Sequence, residues 1–122
     1  MPRKKILIVD DEAGFTRLLK MAMHKYDIHE ENDSRRALET AHNFKPDLIL
    51  LDVIMPGLDG SQLAEQLEAD AELKRVPIVF VTAIVSQREA GDRPKTIGNR
   101  HFLAKPVSPE VLEKCIEEHL AA

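Results

Sequence analysis

The 122-residue chain has a single cysteine, no apolar run long enough to span a bilayer, and no surplus of positive charge. One thiol forms no disulfide within the chain, so the fold must rest on its own core. Cys115 has neither a second Cys nor a spaced His beside it and reads as a core thiol, outside redox or metal chemistry. A membrane-spanning helix needs about 18 or more consecutive apolar residues, and none are found. The early run Ile6 to Val9 is too short for a signal peptide and ends in acid, so a cytosolic protein is expected. Acidic residues outnumber basic ones by 21 to 17, a formal charge of −4, which argues against a general nucleic-acid or anionic-membrane surface. The short Arg3-Lys4-Lys5 run does not reverse that balance. No glycine-rich phosphate loop follows the first apolar run, which disfavours a nucleotide-binding domain. His24, His29, His42, His101 and His119 show no metal-ligand spacing. Linkers, repeats and low-complexity segments are also missing. With 43% hydrophobic residues, the chain reads as one domain over residues 1–122.

What is present is an alternation. Near-continuous apolar runs at Lys5–Val9, Leu48–Leu51, Ile78–Val81 and His101–Ala104 read as strands covered on both faces. The more polar Asp27–Glu30 reads as an edge strand. Between them, Phe15, Leu18, Leu19, Ala22 and Met23 repeat at helical spacing. Ala37, Leu38 and Ala41 follow Asp33 and Ser34 as caps, and Leu63, Ala64 and Leu67 follow Asp59. The last helix has Ser108 as N-cap and Pro109 at its first position, with Leu112, Cys115, Ile116 and Leu120 on one side. Gly91, Pro94 and Gly98 disfavour a continuous helix in Ser86 to Arg100, so a short or broken fourth helix is expected there. The pattern predicts an α/β fold, an open parallel sheet with helices on both faces.

The polar residues that end the strands carry the chemistry. Val9 is followed by Asp10 and Asp11, Leu51 by Asp52, Val81 by Thr82 and Ala104 by Lys105. Parallel strands share one carboxyl edge, where such folds bind ligands, so these side chains should converge. Asp11 or Glu12 alone could merely cap the next helix, and Thr82 or Lys105 alone could be structural. Together they point to a site. Clustered carboxylates repel and are best satisfied by a hard, oxygen-seeking cation, and Mg2+ fits. Such an ion keeps open positions, which suggests phosphoryl chemistry with Asp52 as nucleophile, Lys105 as positive charge and Thr82 as hydroxyl donor.

The words Ile8-Val9-Asp10-Asp11-Glu12, Leu50 to Gly60, Phe80-Val81-Thr82-Ala83 and Phe102-Leu103-Ala104-Lys105-Pro106 resemble the receiver domains of two-component response regulators over essentially the whole chain. The resemblance implies a doubly wound, flavodoxin-like five-stranded sheet in the order 2-1-3-4-5. It implies that Asp52 accepts a phosphoryl group from a phosphohistidine on a sensor histidine kinase or phosphotransfer protein, the chain itself catalysing gain and loss of the group. Mg2+ would be held by Asp11, Asp52 and the backbone carbonyl of Ile54, with Asp10 acting through metal-bound water. Thr82 and Phe102 would form the switch that reshapes the face of the fourth helix, fifth strand and last helix, and Lys105-Pro106 would be a cis bond. A downstream protein target or output domain is implied without being identified, and phosphorylation-dependent dimerisation is left open. Direct binding to nucleic acid or membrane is not expected.

Departures from the family pattern bear on rate and recognition. Phe102 stands where many relatives have Tyr. Ile54 and Ile84 are apolar where relatives carry polar side chains that position the hydrolytic water, so a long-lived phosphorylated state is expected. A haloacid-dehalogenase-type phosphatase is disfavoured because Asp52-Val53-Ile54 has no second Asp two residues on. The alternative function is a receiver-like docking module that acts without phosphorylation. Its signature would be loss of Asp10, Asp11, Asp52, Thr82 or Lys105, and all five are retained.

Overall fold

The computed structural model describes residues 3–83, 95–97 and 100–121. Its strands are β1 (Lys5–Val9), β2 (Asp27–Glu31), β3 (Leu48–Leu51), β4 (Ile78–Thr82), β5 (Lys95–Ile97) and β6 (Arg100–Ala104). The helices are α1 (Ala13–Ala22), α2 (Ala37–Phe44), α3 (Gly60–Ala69) and α4 (Pro109–Ala121), with a 3-10 turn at Ser34–Arg36 before α2. The sheet order is β2-β1-β3-β4-β6-β5. Its first five strands are parallel, in the order expected from the sequence, and β2 lies at the edge.

The sixth strand was not foreseen. Lys95–Ile97 pairs antiparallel with β6 inside the segment read as a short or broken fourth helix. In the sequence these three residues stand between Pro94 and Gly98, residue types that commonly punctuate regular structure. The rest of that helix expectation lies outside the described residues, as does Ile84.

Successive residues of a strand point to opposite faces, so each apolar run supplies two cores. Leu7, Val9, Ile49, Leu51, Phe80 and Phe102 face α2 and α3, meeting Ala37, Ala41, Leu63, Ala64 and Leu67. Ile6, Ile8, Leu48, Leu50, Val79, Val81 and Leu103 face the other way, against Leu19 and Met23 of the α1 segment and Leu112, Cys115 and Ile116 of α4. Two members of the expected α1 stripe, Leu18 and Ala22, are exposed and lie off the buried line. Leu18 is 60% exposed, because Phe15, Leu19 and Met23 at four-residue steps already define the buried line and Leu18 lies about 100° round the helix from Leu19.

The cap expectations hold at Asp59, Ser108 and Asp33 but not at Ser34, whose hydroxyl donates to Pro56 O at 3.1 Å from within the 3-10 turn. Asp59 accepts from Gln62 N–H at 2.9 Å while the Gln62 side chain accepts from Asp59 N–H at 3.2 Å, a reciprocal capping box that starts α3. The Ser108 hydroxyl oxygen accepts from Val111 N–H at 3.2 Å at the head of α4. Asp33 caps the 3-10 turn before α2, accepting from Arg35 N–H at 3.0 Å.

Candidate functional site

The last rungs of the parallel ladder carry the polar residues to one edge. Asp10 N–H donates to Glu31 O at 3.1 Å, Asp52 N–H to Val9 O at 3.0 Å, and Lys105 N–H to Thr82 O at 3.0 Å. Each backbone is thereby fixed just beyond a strand end, and the side chains project over the sheet's carboxyl edge. A second tie runs through Asn32, whose amide donates to Asp10 O at 2.8 Å and to Thr16 Oγ1 at 3.0 Å. The Thr16 hydroxyl in turn donates to Glu30 at 2.8 Å, so α1 and β2 are both pinned to the Asp10 turn.

Lys105 reaches into this edge as the counter-charge. Its Nζ lies 2.7 Å from Asp10 Oδ2, 2.7 Å from Glu12 Oε1 and 3.4 Å from Asp52 Oδ2, and it sits 4.5 Å from the centroid of the Phe15 ring. Burial by itself would lower the lysine's proton affinity, but the hydrogen bonds to Asp10 and Glu12 outweigh it and hold the ammonium well above the usual lysine range. Burial raises the pKa of Asp10, an effect that the bond from Lys105 and the Glu12 N–H only partly offset. The carboxylates of Asp10, Glu12 and Asp52 therefore share the Lys105 ammonium, and that of Asp11 lies within 4.8 Å of those of Asp10 and Asp52.

The donor set suits a hard cation. Asp10, Asp11 and Asp52 each offer a carboxylate oxygen, all within 4.8 Å of one another, and no sulfur or imidazole intrudes in that group. Asp10 and Asp52 are buried while Asp11 is exposed, so the cluster opens to solvent on one side. Ile54 is 62% exposed, and its N–H approaches Asp52 Oδ1 at 3.4 Å. Thr82 is buried at the end of β4. Phe102 is buried too, paired across the sheet with Phe80 at a ring separation of 6.2 Å. The Lys105–Pro106 peptide bond is cis.

Two contributors went unassigned in the sequence. Glu12 stands at the N-cap position of α1, yet its side chain makes no cap bond and binds Lys105 instead. Only the tertiary placement of Lys105 distinguishes it from an ordinary helix-starting acid. Gly60 is the other. A Cβ built there would come 2.1 Å from the backbone carbonyl oxygen of Asp52 and 2.7 Å from Val53 Cα. Gly60 N–H donates to Val53 O at 2.8 Å, so the head of α3 presses directly on the backbone of Asp52. A glycine at the first helical position, where Ser, Glu or Pro would serve better, was the available signal.

Comparison with known proteins agrees with this layout. A family model described as the response regulator receiver domain matches residues 6–117. Protein PilH of Pseudomonas aeruginosa is 35% identical over 123 residues, covering 96% of this chain and 98% of its own. The probable transcriptional regulator ycf27 of Guillardia theta is 35% identical over 91% of this chain, but this chain spans only 43% of that protein. Among solved structures, the chemotaxis response regulator CheY4 of Vibrio cholerae superposes with a TM-score of 0.79 at 27% identity, covering 95% of this chain and 98% of its own.

Proposed function

Since this chain belongs to the response regulator receiver family, we propose that it is a phosphoryl-accepting switch in which Asp52 is the acceptor. The observation that carries the assignment is the single ammonium of Lys105 bridging Asp10, Glu12 and Asp52 at the edge where the parallel strands end. A phosphohistidine on a sensor kinase or phosphotransfer protein is the donor. An Oδ of Asp52 attacks phosphorus, an acyl phosphate bond forms, and the P–N bond breaks with its electron pair returning to the imidazole nitrogen. Catalysis of such a transfer consists mainly of positioning and neutralising charge. The ladder bond from Asp52 N–H to Val9 O and the contact with Gly60 hold the nucleophile in place. Lys105 exchanges one of its carboxylate partners for a phosphoryl oxygen, and the Thr82 hydroxyl donates to another.

The oxygen donors fit Mg2+, with Asp11, Asp52 and the Ile54 carbonyl as ligands and Asp10 acting through bound water. When bound, the ion neutralises negative charge that Lys105 alone cannot balance. Thr82 and Phe102 transmit the change: a shift of the Thr82 side chain alters the space beside the Phe80–Phe102 pair and repacks the face formed by β6 and α4. Residues 1–122 act as one receiver domain in the cytoplasm, signalling to a protein target or output domain by contact, with phosphorylation-dependent dimerisation as one route. No helix among the described residues is long and apolar enough to cross a membrane.

The test is phosphorylation by acetyl phosphate with and without Mg2+, read by intact mass. Wild type is expected to gain one phosphoryl group only with Mg2+, and Asp52→Asn none. A folded wild type that takes no label would favour the docking module that works without phosphorylation.

A further inference from the structure

His101 and His119 are far apart in sequence and sit on β6 and α4, away from the acidic edge. The structure brings His101 Nδ1 and His119 Nε2 to 2.9 Å, with the rings edge to face and their centroids 4.8 Å apart. The other nitrogen of His119, Nδ1, lies 2.8 Å from the backbone carbonyl oxygen of Cys115, one helical turn earlier. A carbonyl oxygen only accepts, so His119 Nδ1 must be the protonated nitrogen. In the neutral ring that leaves a lone pair on Nε2 aimed at His101. A single proton on His101 Nδ1 then stands between two imidazole nitrogens.

We infer that this pair is a site for a borderline divalent cation such as Zn2+, which takes His101 Nδ1 and His119 Nε2 as ligands while the proton between them leaves Nδ1 of His101 and is carried on its Nε2 instead. Three features support it. Imidazole nitrogen is a preferred donor for Zn2+ and a poor one for Mg2+, so the pair differs in selectivity from the oxygen cluster around Asp52. The bond from His119 Nδ1–H to the Cys115 carbonyl is the outer-shell arrangement that fixes tautomer and ring direction in histidine metal ligands. Zn–N bonds of about 2.0–2.1 Å at a tetrahedral angle put two ligand nitrogens roughly 3.3 Å apart, a few tenths of an ångström wider than the hydrogen-bonded pair. His101 is exposed and His119 half-buried, so solvent reaches the pair and water can complete the coordination. The nearby thiol is excluded as a ligand: Cys115 Sγ is 3.6 Å from His119 Nδ1, the nitrogen facing away from His101, and burial pushes the thiol up to about 11. Cation binding would tie the end of α4 to β6, elements of the face proposed to respond to Asp52.

The test is calorimetric titration with Zn2+ in saturating Mg2+, so that the oxygen cluster is already filled. Wild type should bind one Zn2+, and His101→Ala should bind it about tenfold or more weakly, a loss that even outer-shell changes produce. His119→Gln should weaken it equally, and Cys115→Ala should not. Circular dichroism of the metal-free variants checks that each is folded, and imidazole NMR shifts on Zn2+ addition should fall on His101 and His119. Unchanged Zn2+ affinity in folded His101→Ala, or shifts confined to His24, His29 or His42, overturns the site. Neither result touches phosphorylation of Asp52.

Discussion

Gly60 and the backbone of Asp52 occupy the same space that a single methyl group would need: a Cβ on Gly60 would sit 2.1 Å from the Asp52 carbonyl oxygen. The helix that follows the candidate acceptor is thus a wall against which the acceptor's backbone rests. Its capping box, Asp59 with Gln62, sets where the helix begins and hence where that wall stands.

Gly60→Ala should therefore destabilise the fold by about 1–3 kcal/mol, the usual cost of overpacking, and slow phosphorylation of Asp52. Gly14 supplies the control, since nothing lies within 4 Å of a Cβ there and it is exposed in α1. Gly14→Ala should stabilise by about 0.5–1 kcal/mol through backbone entropy. Urea unfolding of both variants measures the contrast, and equal effects would contradict the close-contact reading.

Lys105→Met removes the ammonium that bridges Asp10, Glu12 and Asp52. Its side chain is only 11% exposed, so the buried carboxylates of Asp10 and Asp52 are left without their cation. A loss of up to about 3 kcal/mol is expected without Mg2+, and most of it should be regained when Mg2+ is added. An equal loss with and without Mg2+ would mean that Lys105 acts by packing on Phe15 and not as counter-charge.

His42 predicts a pH dependence far from the acidic edge. Hydrogen bonds to Glu72 and Asp70 raise the His42 pKa above 6.5, against the effect of burial. For Asp70, burial acts upward, but bonds from Glu72 N–H and His42 prevail and lower it below 3.8. A raised histidine contributes stability that is complete below its unfolded pKa and lost as pH rises through the native one. A lowered carboxyl contributes stability that is complete above its unfolded pKa and lost as pH falls through the native one. The clamp between α2 and the segment after α3 is thus complete between about pH 3.8 and 6.5 and fades above that window. Denaturation midpoints from pH 6 to 9 should fall more steeply for wild type than for His42→Gln.

Ile54 is exposed close to Asp52, and its own side chain offers no polar group to position a hydrolytic water. Ile54→Asn with Ile84→Glu is expected to hasten loss of the phosphoryl group on the order of tenfold, consistent with the value of positioning a reactant. Decay of the phosphorylated mass after removal of the donor measures it, and no acceleration would refute the idea.

Cys115 should resist a neutral-pH thiol reagent in the native state. Burial both covers the sulfur and pushes its pKa up to about 11, so thiolate is scarce. Reaction should become fast only on unfolding in urea, and rapid labelling of the folded protein would argue against the buried placement.

Local chemistry made much of this protein legible in its residues. Short apolar runs ending in Asp10, Asp52, Thr82 and Lys105 had to be strands of a parallel sheet, and a parallel sheet has one carboxyl edge. Caps at Asp59 and Ser108 likewise act within a few residues of themselves, so sequence suffices to place them. Long-range juxtaposition was decided elsewhere. That Glu12 serves Lys105 and not its own helix, that Gly60 abuts Asp52, and that His101 meets His119 depend on the spacing between layers, which no local pattern encodes. The antiparallel β5 belongs with these: three residues gain a strand's hydrogen bonds only because β6 offers an unpaired edge, and that edge exists only once the sheet has assembled.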